Sequence, residues 1–473
     1  MEGSAPMKLV IIGGGIAGLS AAYYALKLAP ETRVTVLEAS DRWGGKLRTE
    51  RVETGGGRFI VEGGPDTFLA TKPHAVDLCR ELGIGDRLHG TNPAQRNTYV
   101  LNRGRLLPLP DGLAMMIPTN VQAILRSGLV SWPGKARMGL DFLMPPQPVN
   151  GDESLGAFVS RRLGREAYEN LIEPLMSGIY AGDGDRLSLA STFPYLRDLE
   201  LRHGSLARGA LYMRRQARGK AVQGSRSAFL TPTLGLAEII EALLSRLGQA
   251  GLRLNSPAES VENSGGGFAV RMASGETLRA DALILAAPAY ISAKLTRGID
   301  ARLAESLGQI PYTSTATVSL AFRNEDLGRP LDGYGYVIPR REGSQALACT
   351  WTSTKFPHRA PAGFALLRVF AGRAGQEVAW SEAELVKLAR EELRARLGIR
   401  AAPLFARAFV WENAMPQYNL GHPALLKQID LALQTRPGLA LAGNGYRGIG
   451  IPDCIHSGQL AAERILKLTA EGA

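Results

Sequence analysis

The stretch that decides the fold is MKLVIIGGGIAGL at residues 7–19, where an apolar run of strand length leads directly into the pattern G-x-G-x-x-G. A second apolar run, RVTVL at residues 33–37, ends in Glu38. Strand, glycine-rich turn, helix, strand and acid together predict a dinucleotide-binding βαβ unit. In such a unit Gly13 makes the tight turn, Gly15 lets a diphosphate approach the backbone, and Gly18 lets the helix pack on the strand.

The residues after this unit favour FAD over NAD. Residues 39–46 read ASDRWGGK, a second Gly-Gly turn with two cations. Extended FAD needs further backbone donors and a cation, whereas an NAD dehydrogenase does not. The alternative from the residues alone is that Arg42 and Lys46 are solvated loop cations. The cofactor-binding residues predicted from this first block are Gly13, Gly15, Ile16, Ala17, Gly18, Glu38, Ala39, Arg42, Gly44, Gly45 and Lys46.

Length and composition limit the class of protein. At 473 residues the chain should form several domains, and its 45% hydrophobic and 21% charged residues are ordinary for a globular protein. Three widely spaced cysteines suit a reducing compartment and have no metal-ligand spacing, so no metal is predicted. Neither a signal peptide nor a spanning apolar stretch is recognised, which predicts a cytoplasmic protein, with peripheral contact at the inner face of the membrane left open.

The charge of +11 favours anionic partners, either carboxylate substrates or an anionic membrane surface. No nucleic-acid-binding motif accompanies it, so nucleic acid is not predicted as a partner. The basic segment 202–226 is interpreted either as a solvated face or linker, or as a functional surface. That surface would bind anionic lipid or a partner protein, or form a rim that attracts carboxylates.

Flavin-binding features recur in two later blocks. The second spans about residues 231–288 and ends in ALILAAP, a buried-strand pattern stopped by proline. The third reads LALAGN at 439–444, GIGIPDCI at 448–455, and then a helical pattern. Asp453 is predicted to support the reduced, negatively charged flavin at a helix N-terminus, or to be the N-cap of that helix.

The fold class predicted is α/β. A discontinuous FAD-binding Rossmann-like (doubly wound) domain takes residues 7–75, 230–290 and 436–470. An α+β substrate-binding domain takes residues 76–95 and 291–435, because strand runs there alternate with one helix at 381–397. Residues 96–229 have mainly helical periodicity and are predicted to be an inserted helical domain facing a membrane or a partner.

Four further strings resemble one family. GPDTF at 64–68, SGIYAGD at 177–183, MPQYN with GH at 415–422, and GIPDCI at 450–455 are similar, in this order, to blocks of the porphyrinogen oxidases. That family comprises protoporphyrinogen oxidases and coproporphyrin-forming coproporphyrinogen III oxidases, within the amine oxidase-like flavoproteins. Asp66, residues 350–352 and residues 366–368 resemble the coproporphyrin-forming branch. Covalent members of the superfamily carry their cysteine in a different local sequence, so Cys454 is not expected to bind flavin and FAD is expected to be non-covalent.

The resemblance implies an FAD enzyme of haem biosynthesis. A porphyrinogen loses six hydrogens in three two-electron rounds, and dioxygen takes the electrons with release of hydrogen peroxide. Coproporphyrinogen III to coproporphyrin III is favoured, and protoporphyrinogen IX to protoporphyrin IX is the alternative. The next haem-pathway enzyme, ferrochelatase, is an implied partner. The flavin itself accepts the hydride, so no catalytic acid–base pair is expected.

The family also implies site residues. Further flavin-binding positions are Gly63, Gly64, Pro65, Asp66, Val261, Gly443, Asn444, Gly450, Ile451 and Asp453. Substrate-binding positions are Arg96, Gly178, Val337, Thr350 and Phe370. Arg96 would pair with a propionate through its guanidinium fork, unless it forms a structural salt bridge. Phe370 would stack on the macrocycle, unless it is plain sheet core.

Three rival functions are weighed against this one. A flavin amine oxidase would need an aromatic pair and a lysine beside the flavin, and Lys355 is the candidate. A carotenoid desaturase acts on a substrate without carboxylates, which would leave Arg96 and the positive charge without a purpose. A non-catalytic flavin scaffold that passes porphyrin to a partner would not need the intact third block and the substrate motifs.

Overall fold

The computed structural model describes residues 6–114, 117–148, 151–220, 227–376 and 380–470. The strands, in chain order, are β1 Lys8–Ile12, β2 Arg33–Leu37, β3 Thr49–Thr54, β4 Gly57–Glu62, β5 Phe68–Leu69, β6 Leu88–Gly90, β7 Asn97–Asn102, β8 Arg105–Pro108, β9 Leu113–Ala114, β10 Ile117–Pro118, β11 Phe229–Pro232, β12 Gly251–Arg253, β13 Ala258–Ser264, β14 Gly267–Met272, β15 Thr277–Ala280, β16 Ala282–Leu285, β17 Tyr312–Arg323, β18 Gly333–Val337, β19 Ala346–Trp351, β20 Phe364–Ala371, β21 Phe405–Pro416 and β22 Leu439–Leu441.

The helices begin and end as follows: α1 Ile16–Leu28, α2 Pro73–Glu81, α3 Val121–Arg126, α4 Trp132–Gly139, α5 Leu155–Leu163, α6 Arg165–Ala167, α7 Glu173–Tyr180, α8 Leu189–Thr192, α9 Pro194–His203, α10 Leu206–Lys220, α11 Ala237–Arg246, α12 Ala289–Thr296, α13 Ala301–Gly308, α14 Thr352–Lys355, α15 Glu382–Leu397, α16 His422–Gln434 and α17 Ile451–Ala470.

A five-stranded parallel sheet brings the three flavin blocks together. Its order is β12-β2-β1-β16-β22, and β1 pairs with β2 on one side and β16 on the other. Apolar residues of α1, α11 and α17 cover one face of this sheet. The antiparallel sheet β13-β14-β15 and helices α12, α13 and α16 cover the other. The prediction of an α/β, Rossmann-like fold is confirmed, because the central strands are buried on both faces as parallel strands must be.

A seven-stranded sheet lies beside it, in the order β21-β17-β20-β19-β18-β7-β8. All its pairings are antiparallel except β18 with β7. Aliphatic side chains of one face pack on α15, the helix predicted at 381–397, and Ser381 accepts a hydrogen bond from the Glu384 N–H at its start. On the other face, apolar residues of β17, β20 and β21 pack on Phe59 and Val61 of β4.

The prediction of mainly helical structure for residues 96–229 is wrong at the start of that segment. Residues 97–108 form the hairpin β7–β8 at the edge of the seven-stranded sheet. Arg103 and Gly104 have φ of 50° and 78° in its two-residue turn, the conformation that such turns require. Alternate residues of β7 enter different cores: Leu101 packs with the sheet and α15, and Val100 with the helices. The centre of β7 is therefore a strand buried on both sides and not one face of a helix.

Helices α3 to α10 surround a separate apolar cluster that includes Phe158, Leu171 and Met176. The single π-helical turn Tyr168–Ile172 leads into α7. The basic segment predicted at 202–226 overlaps the end of α9 and α10, and residues 221–226 lie outside the described residues. Over the described ranges, no helix combines the length and apolarity that a membrane crossing requires.

Candidate flavin and substrate site

The dinucleotide loop has the geometry that its glycines predict. Gly13 has φ of 116°, and its N–H donates to the Leu37 carbonyl over 2.8 Å. A Cβ at Gly18 would lie 1.9 Å from the Gly13 carbonyl oxygen, so helix and loop can approach this closely only with glycine there. A Cβ at Gly15 would meet no atom within 4 Å. Gly15 therefore borders open space at the N-terminus of α1, where an anion can reach free N–H groups.

Residues 38–45 complete this loop. One Glu38 oxygen accepts the Gly14 N–H at 2.7 Å, and the other accepts the N–H and hydroxyl of Ser40. The Gly44 N–H donates to the Gly14 carbonyl at 2.8 Å, which holds the second Gly-Gly turn beside the first. Arg42 donates to the Gly45 carbonyl, and its guanidinium lies 5.9 Å from the centre of the Trp411 ring. Burial lowers the pKa of Arg42. The loop cation Arg42 is thus built into the protein and is not freely solvated.

Lys46 lies where the two sheets meet. Its Nζ donates to the Ala414 carbonyl of β21 at 2.5 Å and lies 3.5 Å from the Asn444 Oδ1. Burial lowers the pKa of Lys46 to about 8. The residue nevertheless keeps an accessible fraction. An ammonium removed from water without a carboxylate beside it can be balanced by an anionic ligand.

The segment Gly63–Asp66 passes under the seven-stranded sheet. The Gly63 carbonyl accepts from Thr317 Oγ1 and from Trp411 Nε1, both at 2.8 Å. A Cβ at Gly64 would lie 1.9 Å from the Lys46 carbonyl oxygen, and Arg368 donates to the Gly64 carbonyl. Pro65 is exposed. These contacts fix the backbone of the second glycine pair between the two sheets.

Asp66 belongs to a buried network that the sequence did not reveal. Lys355 Nζ lies 3.2 Å from its Oδ2, and Arg359 donates to the buried Glu62 at 2.7 Å. Burial alone would raise the pKa of Asp66, but Lys355, Arg368 and Arg359 hold it at about 2. The carboxylate is therefore ionised at neutral pH, where it is a weak base and has no proton to donate.

The third flavin block forms a turn between β22 and α17. Gly443 has φ of 117°, and a Cβ there would meet no atom within 4 Å. Its N–H donates to Ser457 of α17 at 3.0 Å. The Asn444 carbonyl accepts from the Tyr418 hydroxyl at 2.6 Å, which ties this turn to the MPQY segment. Gly443 therefore borders open space, and the next residue, Asn444, lies beside the Lys46 ammonium.

Asp453 is the third residue of α17 and not its N-cap, so that prediction is wrong in position. The helix begins at Ile451, and the Asp453 carboxylate turns back to accept the Gly450 N–H at 3.2 Å. Lys72 Nζ pairs with the same carboxylate at 2.6 Å. An acid three residues into a helix can satisfy the N-cap N–H in this way. Burial raises the pKa of the neighbouring Cys454 to about 12, which keeps that thiol protonated.

Three predicted substrate residues share one face of the seven-stranded sheet. Val337 is opposite Ala348, which is opposite Phe370, and in the next row Thr350 is opposite Arg368. All three predicted side chains are half-buried. Val337 also packs on the helical cluster. Phe370 lies beneath the Arg368 guanidinium at 4.6 Å and is not enclosed core.

Arg96 and Gly178 lie outside that face. Arg96 is exposed just before β7, and its Nε donates to the Pro93 carbonyl at 3.0 Å. Within the described residues it forms no salt bridge, so the structural alternative for Arg96 has no support. Gly178 is exposed on α7, where a Cβ would meet no atom within 4 Å. Val261 is buried in β13 opposite Val270, in the same apolar cluster as Leu37.

Sequence reasoning missed several residues of this region. Arg359 and Arg368 are buried arginines whose carboxylate and carbonyl partners lie about 300 positions away along the chain. Trp411, which contacts Gly63, was also missed. The only available signal was a charged residue inside an otherwise apolar strand, FALLRVF at 364–370. Across the described chain, no set of three or more His, Cys, Asp or Glu side chains is arranged to hold a metal ion.

The arrangement is compatible with a flavin dinucleotide. Gly15 and Gly443 each border open space. The Lys46 side chain lies between them, because its backbone follows Gly45 beside Gly15 and its Nζ approaches Asn444. A diphosphate would suit the N-terminus of α1, and a flat ring would suit the junction of the two sheets.

Comparison with known proteins supports this interpretation. The family model for flavin containing amine oxidoreductases matches residues 16–466. The chain is 38% identical to a coproporphyrinogen III oxidase of Bacillus subtilis, with 97% of each chain covered, and 34% identical to one of Staphylococcus aureus over 97% of this chain and 98% of the relative. A chloroplastic protoporphyrinogen oxidase of Oryza sativa is 31% identical, with 96% and 87% covered.

Solved structures agree. A protein of Exiguobacterium sp. 255-15 assigned as a protoporphyrinogen oxidase aligns with a TM-score of 0.85 and 33% identity over 97% of this chain and 98% of that one. A reduced UDP-galactopyranose mutase aligns with a TM-score of 0.72 at 18% identity, covering 98% and 96%, which shows the fold alone. The predicted FAD cofactor is confirmed by the family. The chain therefore belongs to the flavin containing amine oxidoreductases, in the group that includes the coproporphyrinogen III and protoporphyrinogen oxidases.

Proposed function

We propose that this protein oxidises coproporphyrinogen III to coproporphyrin III with dioxygen as the electron acceptor and hydrogen peroxide as its product. The observation that carries the proposal is the half-buried face of the seven-stranded sheet that Val337, Thr350 and Phe370 share. Thr317, which pairs with Phe370, donates to the Gly63 carbonyl and so brings that glycine segment to the same face. A flat macrocycle needs such an apolar slot beside a flavin. The names of the relatives favour the coproporphyrinogen.

FAD supplies the two-electron oxidation when bound, and aromaticity of the product supplies the driving force. The chain's own residues bind and orient. Gly15 and the start of α1 would hold the diphosphate, and Gly443 and Asn444 would border the ring. Phe370 would stack on the macrocycle. Val337 and Thr350 would hold the macrocycle flat against the flavin ring. The fixed charge of Asp66 is consistent with chemistry that needs no acid–base pair.

Carboxylate recognition would fall to Arg96. Its Nε is already fixed by the Pro93 carbonyl, which leaves the two terminal nitrogens to face a propionate as a fork. Because the side chain is exposed, solvent and salt screen this contact. Gly178 would leave room for the edge of the macrocycle.

Protoporphyrinogen IX is the second candidate substrate, favoured by the relatives with that name. It carries two propionates where coproporphyrinogen carries four. The amine oxidase reading has less support, because the candidate lysine, Lys355, is held by Asp66 at 3.2 Å. Residues 7–75, 230–290 and 436–470 remain our proposal for the FAD-binding domain. The substrate-binding and helical domains keep the divisions predicted from the sequence, apart from the hairpin β7–β8.

The test is anaerobic mixing of the FAD-loaded protein with each porphyrinogen, followed by porphyrin fluorescence in air. We expect flavin bleaching with both and a higher kcat/KM for coproporphyrinogen III. Arg96→Ala should lower that kcat/KM by about ten- to a hundredfold, since a charge-assisted hydrogen bond contributes about 1.5–3 kcal/mol. Faster turnover of protoporphyrinogen would assign the other branch, and no bleaching with either would reject a porphyrinogen oxidase.

We also propose that the helical region contacts an anionic membrane surface. Trp132 is 69% exposed and Leu143 80% exposed, and Val121 and Leu125 of α3 are exposed nearby. Lys135 lies 4.5 Å from the Trp132 ring and donates to the Leu125 carbonyl. Exposed apolar groups beside cations suit the interface of an anionic bilayer. The wild-type protein should sediment with phosphatidylglycerol vesicles, and the Trp132→Glu variant should not. Equal sedimentation of the two proteins would reject this membrane-contact surface. Ferrochelatase would then be the partner to test.

A further inference from the structure

Lys46 and Lys355 are both largely removed from solvent but differ in their partners. Lys355 pairs with Asp66 at 3.2 Å. Lys46 donates only to the Ala414 carbonyl and approaches the Asn444 amide oxygen, and within the described residues no carboxylate lies within 4.0 Å of its Nζ. Lys46 is therefore a deep cation whose charge the described protein does not compensate.

Such a cation is costly unless a ligand balances it. Transfer of an ammonium out of water disfavours its charged form, which is why burial lowers the pKa of Lys46 to about 8. The neighbouring Cys454 supplies no balancing charge, because burial raises the pKa of its thiol to about 12 and keeps it protonated. A negative charge supplied by the bound cofactor would remove this cost.

The diphosphate and the reduced flavin ring are the two parts of FAD that could balance the Lys46 ammonium, and the position of the ammonium distinguishes between them. The Lys46 backbone follows the Gly44–Gly45 turn, and a Cβ at Gly45 would lie 3.2 Å from the Gly15 Cα. The side chain then leads away from this loop to β21 and to Asn444. The N-terminus of α1 lies at the loop, whereas the junction of the two sheets lies at the ammonium. The diphosphate would lie at the N-terminus of α1, and the flavin ring would lie at the junction of the two sheets.

We propose that Lys46 balances the negative charge that the flavin ring gains on reduction, and so raises the reduction potential of the bound FAD. A hydride brings two electrons and one proton to the ring, which leaves one net negative charge there. The carbon whose C–H bond breaks is oxidised, the second hydrogen of that round leaves the substrate as a proton to solvent, and the ammonium keeps its own proton. The inference depends on FAD binding and not on the identity of the porphyrinogen.

The test is the midpoint potential of the FAD-loaded protein, measured by photoreduction against a reference dye without any substrate. Lys46→Met removes the charge and keeps the length, and Lys46→Arg keeps the charge. We expect Lys46→Met to weaken binding of reduced FAD ten- to a hundredfold more than binding of oxidised FAD. For a two-electron couple this lowers the potential by about 30–60 mV. Lys46→Arg should stay near wild type.

Lys387→Met is the matched control, because it removes a lysine charge at a side chain that is 74% exposed on α15. Its potential should equal that of wild type. If Lys46→Met lowers the affinity for oxidised and reduced FAD equally, the potential will not change. That result would mean that the Lys46 ammonium contacts the diphosphate, and it would overturn the proposal. Unchanged affinity and unchanged potential would also overturn it.

A second measurement uses wild type alone and remains available if Lys46→Met fails to bind FAD. When Lys46 loses its proton in the oxidised protein at alkaline pH, reduction of the ring draws that proton back. The potential should then fall with pH about twice as steeply at alkaline pH as at neutral pH, because two protons accompany two electrons in place of one. A slope that stays constant from pH 6 to 10 would contradict the proposal.

Discussion

Gly15→Ala should separate cofactor binding from folding. Gly15 has φ of −75° and ψ of 178°, a conformation that alanine adopts without strain, and its Cβ would meet no atom within 4 Å. The substitution should therefore leave the stability of the FAD-free protein unchanged or raise it by about 0.4–1 kcal/mol, since alanine has less conformational freedom than glycine in the unfolded chain.

The effect on FAD should be large by comparison. A methyl carbon keeps other heavy atoms about 3.5–4.0 Å away, whereas an oxygen accepting from a backbone N–H lies about 2.9 Å from the nitrogen. The diphosphate would have to withdraw and lose at least one hydrogen bond to a charged group, worth about 1.5–3 kcal/mol. We expect the Kd for FAD to rise by about ten- to a hundredfold.

The assay is flavin fluorescence titration of the FAD-free protein, with thermal melting measured in parallel. Gly139→Ala is the control, because Gly139 also has open space and a conformation open to alanine, with φ of −61°. Gly18→Ala should lower the melting temperature of the FAD-free protein, because its Cβ would lie 1.9 Å from the Gly13 carbonyl oxygen. An unchanged Kd for Gly15→Ala would refute the assignment of this space to the diphosphate.

Three other predictions concern the buried charges. Arg359→Leu should cost about 3–5 kcal/mol in urea unfolding, because Glu62 stays buried without its partner, and adding Glu62→Leu should recover part of that loss. The pKa of Asp66 is lowered from 3.8 to about 2, so its ionisation contributes about 2 kcal/mol to the free energy of unfolding. That contribution is fully present above pH 3.8 and is lost as the pH falls through 2. Lys355→Met should move this loss to higher pH, seen as a higher acid-unfolding midpoint, whereas Asp66→Asn should abolish the dependence. Asp453→Ala should lower stability by about 0.5–2 kcal/mol and weaken FAD retention in gel filtration; no change in either would leave the carboxylate without a role.

The sequence predicts the flavin loop well because its physics is local. The separations of Gly13, Gly15 and Gly18 are those of one turn and the start of one helix, so each role follows from the chain direction alone. The face shared by Val337, Thr350 and Phe370 was reached only through family resemblance, since three strands had to be brought into register before their side chains could line up.

Long-range charges could not be predicted. Lys355 meets Asp66, and Arg359 meets Glu62, across nearly 300 residues of chain, and no spacing rule connects such pairs. The error at Asp453 has a different cause. The pattern GIGIPD gives two sites at which a helix could begin, and proline suits the second position of the helix that begins at Ile451. Only the structure shows which backbone N–H group the Asp453 carboxylate then accepts.

The order of strands in the parallel sheet has a consequence for biosynthesis. Leu9 of β1 pairs with Ala282 of β16, and β22 joins later still. At about 5–20 residues per second, roughly 15–50 s of translation separates β1 from this neighbour. During that time β1 and its glycine-rich loop have emerged without β16 and β22, two of the five strands of their sheet. The nascent chain therefore exposes apolar surface before it can take up FAD, and we expect ribosomal pausing before β16 to reduce the yield of folded protein more than pausing after β22.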